Sequence, residues 1–377
     1  MTATSFRPGE LTSEASLNHV VLGPAGAIGV EGWLAEDACS LNALHTLATE
    51  RGLRGLRRDR LADDLATAVA SPDAEAARSA AGVLHTFGMR LGALIATLRD
   101  PATAGRQGTT PYHRAFLARW VTVDGIWLAG GLLAGRCGPL VLEGVEAAAA
   151  LAPAAALAPA AALASGTALA PGTGPVAVLP RPELAPLIGA ARHAPTDSGE
   201  EAAVVADLGH TRIKTAVAER HGRTLRRLRR VRARPTPRRP DADGVEAAVG
   251  AALAQAVRDA AGSTSDRVRI VVSVASFVRD GLPADDGQGI YGHLTERAPA
   301  LRRRLRSATG VSVDLRYLHD GTAAAAAAGA AGSATITAGT WLGAGFLPEG
   351  GPPLLTVPQH LSIAWADDTD TSPTARR

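Results

Sequence analysis

The residues best equipped for chemistry sit in four short turns. The first is Asp207-Leu208-Gly209-His210-Thr211-Arg212-Ile213-Lys214, where an apolar run delivers a carboxylate to a glycine turn. The turn exposes backbone N–H groups, Thr211 adds a hydroxyl and Lys214 an ammonium. Such a set can cradle phosphate oxygens while the carboxylate faces a metal ion. A plain β-hairpin with a glycine turn reads equally well from this stretch. The second is Gly339-Thr340-Trp341-Leu342-Gly343-Ala344-Gly345, rich in small residues that let a ligand approach the backbone. The third, His319-Asp320-Gly321-Thr322, ends a strand-like run and opens an alanine-rich helix. A carboxylate there is either a helix N-cap or a partly desolvated base for a hydroxyl proton. The fourth, Trp127-Leu128-Ala129-Gly130-Gly131, ends a strand in a glycine pair, apt for a nucleotide to lie across.

Lys214 stands out by usage. The chain has 39 basic residues, and Lys214 is the one lysine among them. Where arginine serves every other basic position, a surviving lysine marks a place that needs a compact ammonium.

These turns need strands and helices to hold them. Three- and four-residue apolar spacing predicts helices over Leu41–Arg51, Leu61–Ala70 and Asp73–Leu98, the last capped by Asp73 and stopped at Asp100-Pro101. Val121–Leu128 reads as a half-buried strand, followed by a helix from Gly138. Leu151–Pro171 is a low-complexity Ala/Leu/Pro stretch without chemistry. Val176–Leu179 reads as a strand and Pro186–His193 as a helical turn. Residues 194–202 lack bulky apolar side chains and read as a linker. Beyond it, strands are expected at Ala203–Ala206, Ile213–Ala218, Leu225–Arg234, Arg267–Val274, Val311–Leu318, Ser333–Ala338 and Leu342–Leu347. Helices are expected at Gly244–Ala260, Leu301–Thr309 and Gly321–Ala331.

Composition narrows the class. The chain has 377 residues, 46% of them hydrophobic and 20% charged, enough for a substantial core in two or three domains. No run has the bulk of a membrane span, and the N-terminal residues lack a secretory pattern, so a soluble cytoplasmic protein without membrane contact is expected. Two cysteines cannot build a disulfide framework or a four-thiolate zinc site. A net charge of +3 says little about partners. Nine arginines between Arg223 and Arg239 carry no interleaved aromatics and read as a solvated hairpin, not a nucleic-acid surface.

Taken together, the turns resemble the ROK family of bacterial sugar kinases (repressor, open reading frame, kinase), within the actin-like ATPase superfamily. That family carries a D-x-G-G-T-K hairpin, an N-D-A-x-A-A segment, a G-T-G-x-G-x-G hairpin and a G-G adenosine turn, in that order. Asp207–Lys214, His319–Ala324 and Gly339–Gly345 match the first three. The adenosine element lies upstream, at Asp100-Pro101 and Ile126–Gly131, and Pro186–Ala191 resembles the family's C-terminal G-L-I-G-A-A. Asn18–Pro24 resembles the stretch that normally follows the second hairpin. The resemblance therefore implies a two-lobed α/β, actin-like ATPase (ribonuclease H-like) fold that is circularly permuted. Residues 1–193 would be the family's C-terminal part, 194–202 a linker, 203–350 its N-terminal part and 351–377 a tail. The nine linker residues span up to ~30 Å extended, enough to join neighbouring termini.

The resemblance also implies roles: ATP-dependent phosphorylation of a hydroxyl on a sugar-like molecule. Asp320 would be the general base. Asp207 would hold Mg2+ through water. Gly209, Thr211, Gly339, Thr340 and Gly343 would line the phosphates, with Lys214 nearby, and Gly130 and Gly131 the adenosine. Ser276, His319 and His19 stand where the family contacts sugar, and Tyr291 and His293 are further candidates there. The family's cysteine-rich zinc loop would fall near Gly26–Glu36, which holds no cysteine, so no structural zinc is expected. His319 replaces an asparagine, Ser276 a glycine, and Trp341 a glycine of the second hairpin. The phosphate side is kept and the sugar side rewritten, which points to a cyclitol, amino sugar or other polyol. A homodimer is compatible with this reading. The rivals are a non-catalytic sugar or nucleotide binder on the same fold, and an enzyme using ATP without kinase products.

Overall fold

The computed structural model describes residues 6–8, 11–24, 28–151, 174–194, 202–237, 241–260, 267–279, 281–284, 291–350 and 353–366. Most of the 151–171 stretch, the linker between its end residues, and the start of the 26–36 loop lie outside the described residues. The chain forms two compact units, each drawn from two stretches. The first comprises Met1–Ala185 and Ala328–Gly350, the second Pro186–Ala327 and Gly351–Arg377.

In the first unit, helices α1 (Ala35–Cys39), α2 (Leu41–Glu50), α3 (Leu61–Val69), α4 (Ala74–Arg99), α5 (Ala102–Gln107) and α6 (Pro111–Val121) precede β1 (Ile126–Ala129), α7 (Cys137–Leu151) and β2 (Val176–Val178). The α4 helix starts where Asp73 accepts hydrogen bonds from Glu75 and Ala76 N–H, and Asp100-Pro101 ends it. By length and composition α4 could cross a membrane, yet 61% of its apolar window is buried and it packs along α7. The strand expected over Val121–Leu128 is shorter than that. Thr110 caps α6, whose Tyr112, Phe116 and Trp120 recur every four residues on one buried face. This helical periodicity claims residue 121, and the strand begins at Ile126 after a turn.

The second unit begins at Pro186, within α8 (Ala185–Arg192). The strands β3 (Ala202–Leu208), β4 (Arg212–His221) and β5 (Thr224–Pro235) follow, then α9 (Ala242–Ala260) and β6 (Arg267–Val274). A short pair, β7 (Val278–Arg279) and β8 (Leu282–Pro283), precedes α10 (Leu294–Thr309), β9 (Ser312–His319) and α11 (Asp320–Ala328). The remaining strands are β10 (Ala334–Ala338) and β11 (Leu342–Phe346) of the first unit and β12 (Ser362–Trp365) of the second. The helix expected at Leu301–Thr309 extends back to Leu294; Pro299 lies inside it instead of stopping it. Likewise α11 starts at Asp320, and β3 carries Asp207 within the strand, not in the turn.

The sheet of the second unit runs β12-β5-β4-β3-β6-β9. The strands β3, β4 and β5 form an antiparallel meander, and β6 and β9 run parallel to β3. A meander extended by two parallel strands is the ribonuclease H-like arrangement. Along β3 the side chains alternate. Val204, Ala206 and Leu208 share a core with Val249, Leu253 and Val257 of α9. Each such Leu or Val contributes about 2 kcal/mol by burial. Asp207 therefore points to the opposite face. The sheet of the first unit, β11-β10-β1-β2, shows a shorter version of the same pattern. Its β10–β11 hairpin is antiparallel, and β1 and β2 run parallel with β10.

Candidate functional site

The β3–β4 hairpin places Asp207 opposite Lys214, and β6 places Ser273 beside Asp207. Lys214 Nζ donates to Asp207 Oδ2 at 2.9 Å, and Ser273 Oγ lies 3.5 Å from Oδ1. The carboxylate is 4% exposed, so this ion pair is largely desolvated. The hairpin closes through Gly209 N–H donating to Arg212 C=O at 3.1 Å. Gly209 C=O accepts from Thr236 Oγ1 at 2.7 Å and from Tyr291 Oη at 2.9 Å. Both backbone polar groups of Gly209 are thus engaged in holding the turn, while Thr211 sits exposed at its tip. Tyr291 is fully buried and burial raises its phenol pKa, which suits a brace more than an acid. His293 is exposed.

At the junction of β9 and α11, Asp320 Oδ1 accepts the Gly321 N–H at 2.7 Å. His319 Nε2 lies 3.4 Å from the same oxygen, and the His319 ring stacks on Phe277, with centroids 5.5 Å apart and 8° between planes. Burial holds His319 below the ordinary imidazole range, offset in part by the Asp320 charge. His210, in the β3–β4 turn, is shifted the same way by burial and feels the same carboxylate. Ser276 is buried, and its hydroxyl donates to Ala284 C=O at 3.3 Å. Behind α11, the backbone of α8 comes so close that a Cβ on Gly189 would sit 1.6 Å from Ala323 C=O. Only glycine allows that approach, and the buried alanines Ala323–Ala326 answer it from α11.

The remaining sequence candidates lie in the first unit. At the C-terminal end of β1, Gly130 has φ +121°, and a Cβ there would meet Ala338 C=O at 2.2 Å. The two glycine turns, 130–131 and 339–340, are therefore neighbours. Gly339 C=O accepts Leu41 N–H at 3.0 Å. Trp341, at the tip of the β10–β11 hairpin, is 49% exposed. Asn18 grips that hairpin: its Oδ1 accepts Leu342 N–H at 2.9 Å and its Nδ2 donates to Leu342 C=O at 3.3 Å. His19 is exposed beside it, in a different unit from Ser276 and His319.

Sequence reasoning missed the brace of Thr236 and Tyr291 on Gly209, the Phe277 stack and the Asn18 grip. Among the described residues no group of three or more His, Cys, Asp or Glu side chains gathers as a metal site.

No known protein-family model matches the chain, and no curated protein matches it. Solved structures do. One is an inorganic polyphosphate/ATP-glucomannokinase from Arthrobacter sp. strain KM, with 20% identity and TM-score 0.31, over 41% of this chain and 61% of that one. A ROK hexokinase from Thermus thermophilus gives 30% identity and TM-score 0.27, over 41% and 47%. A ROK family glucokinase from Streptomyces griseus, in complex with glucose and AMPPNP, gives 23% identity and TM-score 0.30, over 41% and 48%. The matched part spans about half to three fifths of those chains.

Proposed function

We propose that the chain transfers the γ-phosphoryl group of ATP, as its magnesium complex, to a hydroxyl of a sugar-like molecule. The observation that carries this reading is the Asp320 carboxylate at the β9–α11 junction. Its side chain is 24% exposed, and the Gly321 N–H holds one oxygen. A carboxylate in that state can accept the acceptor hydroxyl's proton as the oxygen attacks phosphorus and the bond to the ADP oxygen breaks. Phosphoryl transfer needs mainly positioning and charge neutralisation, so few further groups are required.

Lys214 is assigned to the phosphates, its ammonium aimed by Asp207. Asp207 receives no metal-binding role: one oxygen is paired with an ammonium, a poor neighbour for a dication. The magnesium ion arrives as part of the nucleotide substrate. Thr211 supplies a hydroxyl, and Gly209 shapes the turn. Gly339, Thr340 and Gly343 are assigned to phosphates, and Gly130 and Gly131 to adenosine. The acceptor is a polyol, cyclitol or amino sugar. The chain order is read as circularly permuted, because the hairpin strands β10 and β11 follow β1 and β2 in sequence.

The test is ADP release with Mg-ATP over a panel of sugars, amino sugars and cyclitols, followed by Asp320→Asn on the best acceptor. Turnover should fall by ~10²-fold or more with ATP affinity nearly unchanged. Undiminished turnover refutes the role of Asp320. A second reading, a nucleotide or sugar binder without turnover, draws on Trp341 standing exposed in the second hairpin. ATP binding without ADP release across the whole panel would favour it.

A further inference from the structure

We propose that Thr236 and Tyr291 are positioning residues for the nucleotide's phosphates: by holding Gly209 C=O inward, they keep the His210 N–H turned out toward a phosphate oxygen. This rests on the reading of the Asp207–Lys214 hairpin as a phosphate cradle. The turn is pinned at its carbonyls. Gly209 C=O accepts from Thr236 Oγ1 at 2.7 Å and from Tyr291 Oη at 2.9 Å. Thr236 also uses its backbone N–H, which donates to Thr211 C=O at 3.0 Å. Both residues are buried, so water does not compete strongly for these bonds. Each is anchored outside the turn: Thr236 directly follows β5, and Tyr291 stands just ahead of α10, its C=O accepting Leu294 N–H at 3.0 Å.

The peptide joining Gly209 to His210 is trans, and in a planar trans peptide the C=O and N–H point in opposite directions. With Gly209 C=O drawn inward, the His210 N–H of the same peptide faces the other way. Neither the His210 nor the Thr211 N–H has a hydrogen-bond partner among the described residues, and Thr211 is exposed at the tip. Unpaired N–H groups in a turn, with the Lys214 ammonium on the same hairpin, make a concavity suited to anionic oxygens. Without the two hydroxyls this peptide could rotate about its flanking bonds, and Gly209 carries no side chain to resist. The brace opposes that rotation, so the N–H is aimed before a nucleotide arrives and no reorientation opposes binding.

The test compares binding of Mg-AMPPNP, which is not turned over, with binding of adenosine, by calorimetry on the full chain. Tyr291→Phe and Thr236→Val each remove one hydroxyl and nearly keep the side chain's shape. Each should weaken Mg-AMPPNP roughly threefold, and the pair, which strips Gly209 C=O of both donors, roughly tenfold or more. Adenosine affinity should stay within about twofold, because no phosphate is involved. Thr236→Ser keeps the hydroxyl and should bind Mg-AMPPNP within about twofold of the unaltered protein. Equal losses for adenosine and Mg-AMPPNP would mark a merely structural brace and overturn the proposal. So would an unchanged Mg-AMPPNP affinity in the pair; should the pair not fold, Tyr291→Phe decides alone. In 1H–15N spectra Mg-AMPPNP should shift the His210 amide of the unaltered protein, and a His210 amide indifferent to it overturns the proposal. Should Asp320→Asn leave turnover intact while Mg-AMPPNP affinity follows Tyr291, the base assignment falls and the brace stands. Should turnover depend on Asp320 while nucleotide affinity ignores both hydroxyls, the kinase reading stands and the brace falls.

Discussion

The hairpins β3–β4 and β10–β11 are built from the same backbone pattern and furnished differently. In β3–β4, Asp207 and Lys214 face each other across the register and close at 2.9 Å, and Thr236 and Tyr291 converge on Gly209. In β10–β11, Ala338 faces Leu342, and the bonded side chain comes from outside the hairpin, from Asn18. One turn is held by charge and hydroxyls, the other by close backbone packing and an amide. Electrostatics should therefore dominate the response of the first to substitution, and sterics that of the second.

The largest effect is expected at Lys214. Lys214→Met leaves the Asp207 carboxylate buried without its cation and should cost about 4 kcal/mol of stability in urea denaturation. The double variant Lys214→Met/Asp207→Asn should recover much of that loss, because the stranded charge is gone. Lys214→Arg tests whether a planar fork serves, and only partial retention is expected. A single-variant cost below about 1 kcal/mol would mean that the pair behaves like a surface bridge.

Next comes the steric counterpart. Gly130→Ala places a Cβ about where Ala338 C=O already lies, at 2.2 Å, on a backbone with φ +121°. The expected cost is roughly 3 kcal/mol. Gly131→Ala is the control, since a Cβ there meets nothing within 4 Å. Equal costs for the two would break the contrast between hairpins.

Protonation adds a third measure. In the second unit Asp207 has its cation, but His193 Nε2 is buried without a partner. Burial, helped by Arg192, lowers the His193 pKa from 6.5 to about 4. The unfolded chain binds this proton below pH 6.5 and the folded chain does not until about pH 4. Stability is therefore complete above pH 6.5 and falls as pH drops toward 4, by about 2 kcal/mol at pH 5. His193→Leu should flatten that part of the pH–stability curve relative to the unaltered protein.

Which of these features could be read from sequence follows from how local each one is. Asp207 and Lys214 are seven residues apart around a tight turn, and a hairpin register alone brings them together. Asp320 was legible because a strand-like run ends just before it and alanines follow. Gly189 was legible as part of a motif, and its reason is the 1.6 Å approach to Ala323. By contrast, the Tyr291 brace joins residues 82 apart, and Asn18 grips a strand 324 positions away. No local pattern encodes such contacts. The strand misread at Val121 arose because Trp120 and Val121 are good strand residues, and burial on one helical face overrode that preference.

The smallest expected effect is at Asn18, and it bears on how the β10–β11 hairpin keeps its edge. Among the described residues the β11 strand lies at the end of its sheet, so its outer N–H and C=O groups have no ladder partner there. Asn18 satisfies both groups of Leu342, a residue only 4% exposed, and Ser16 Oγ receives the second amide hydrogen at 3.1 Å. Asn18→Ala should cost about 1–2 kcal/mol, the penalty for leaving these groups without partners. Asn18→Asp keeps the acceptor for Leu342 N–H but sets a carboxylate against Leu342 C=O, and should do no better than alanine. Hydrogen exchange at the Leu342 amide separates local from global effects: it should quicken in Asn18→Ala far more than exchange in β3. Unchanged exchange would show that the hairpin holds its edge through backbone packing alone, which would widen its difference from β3–β4.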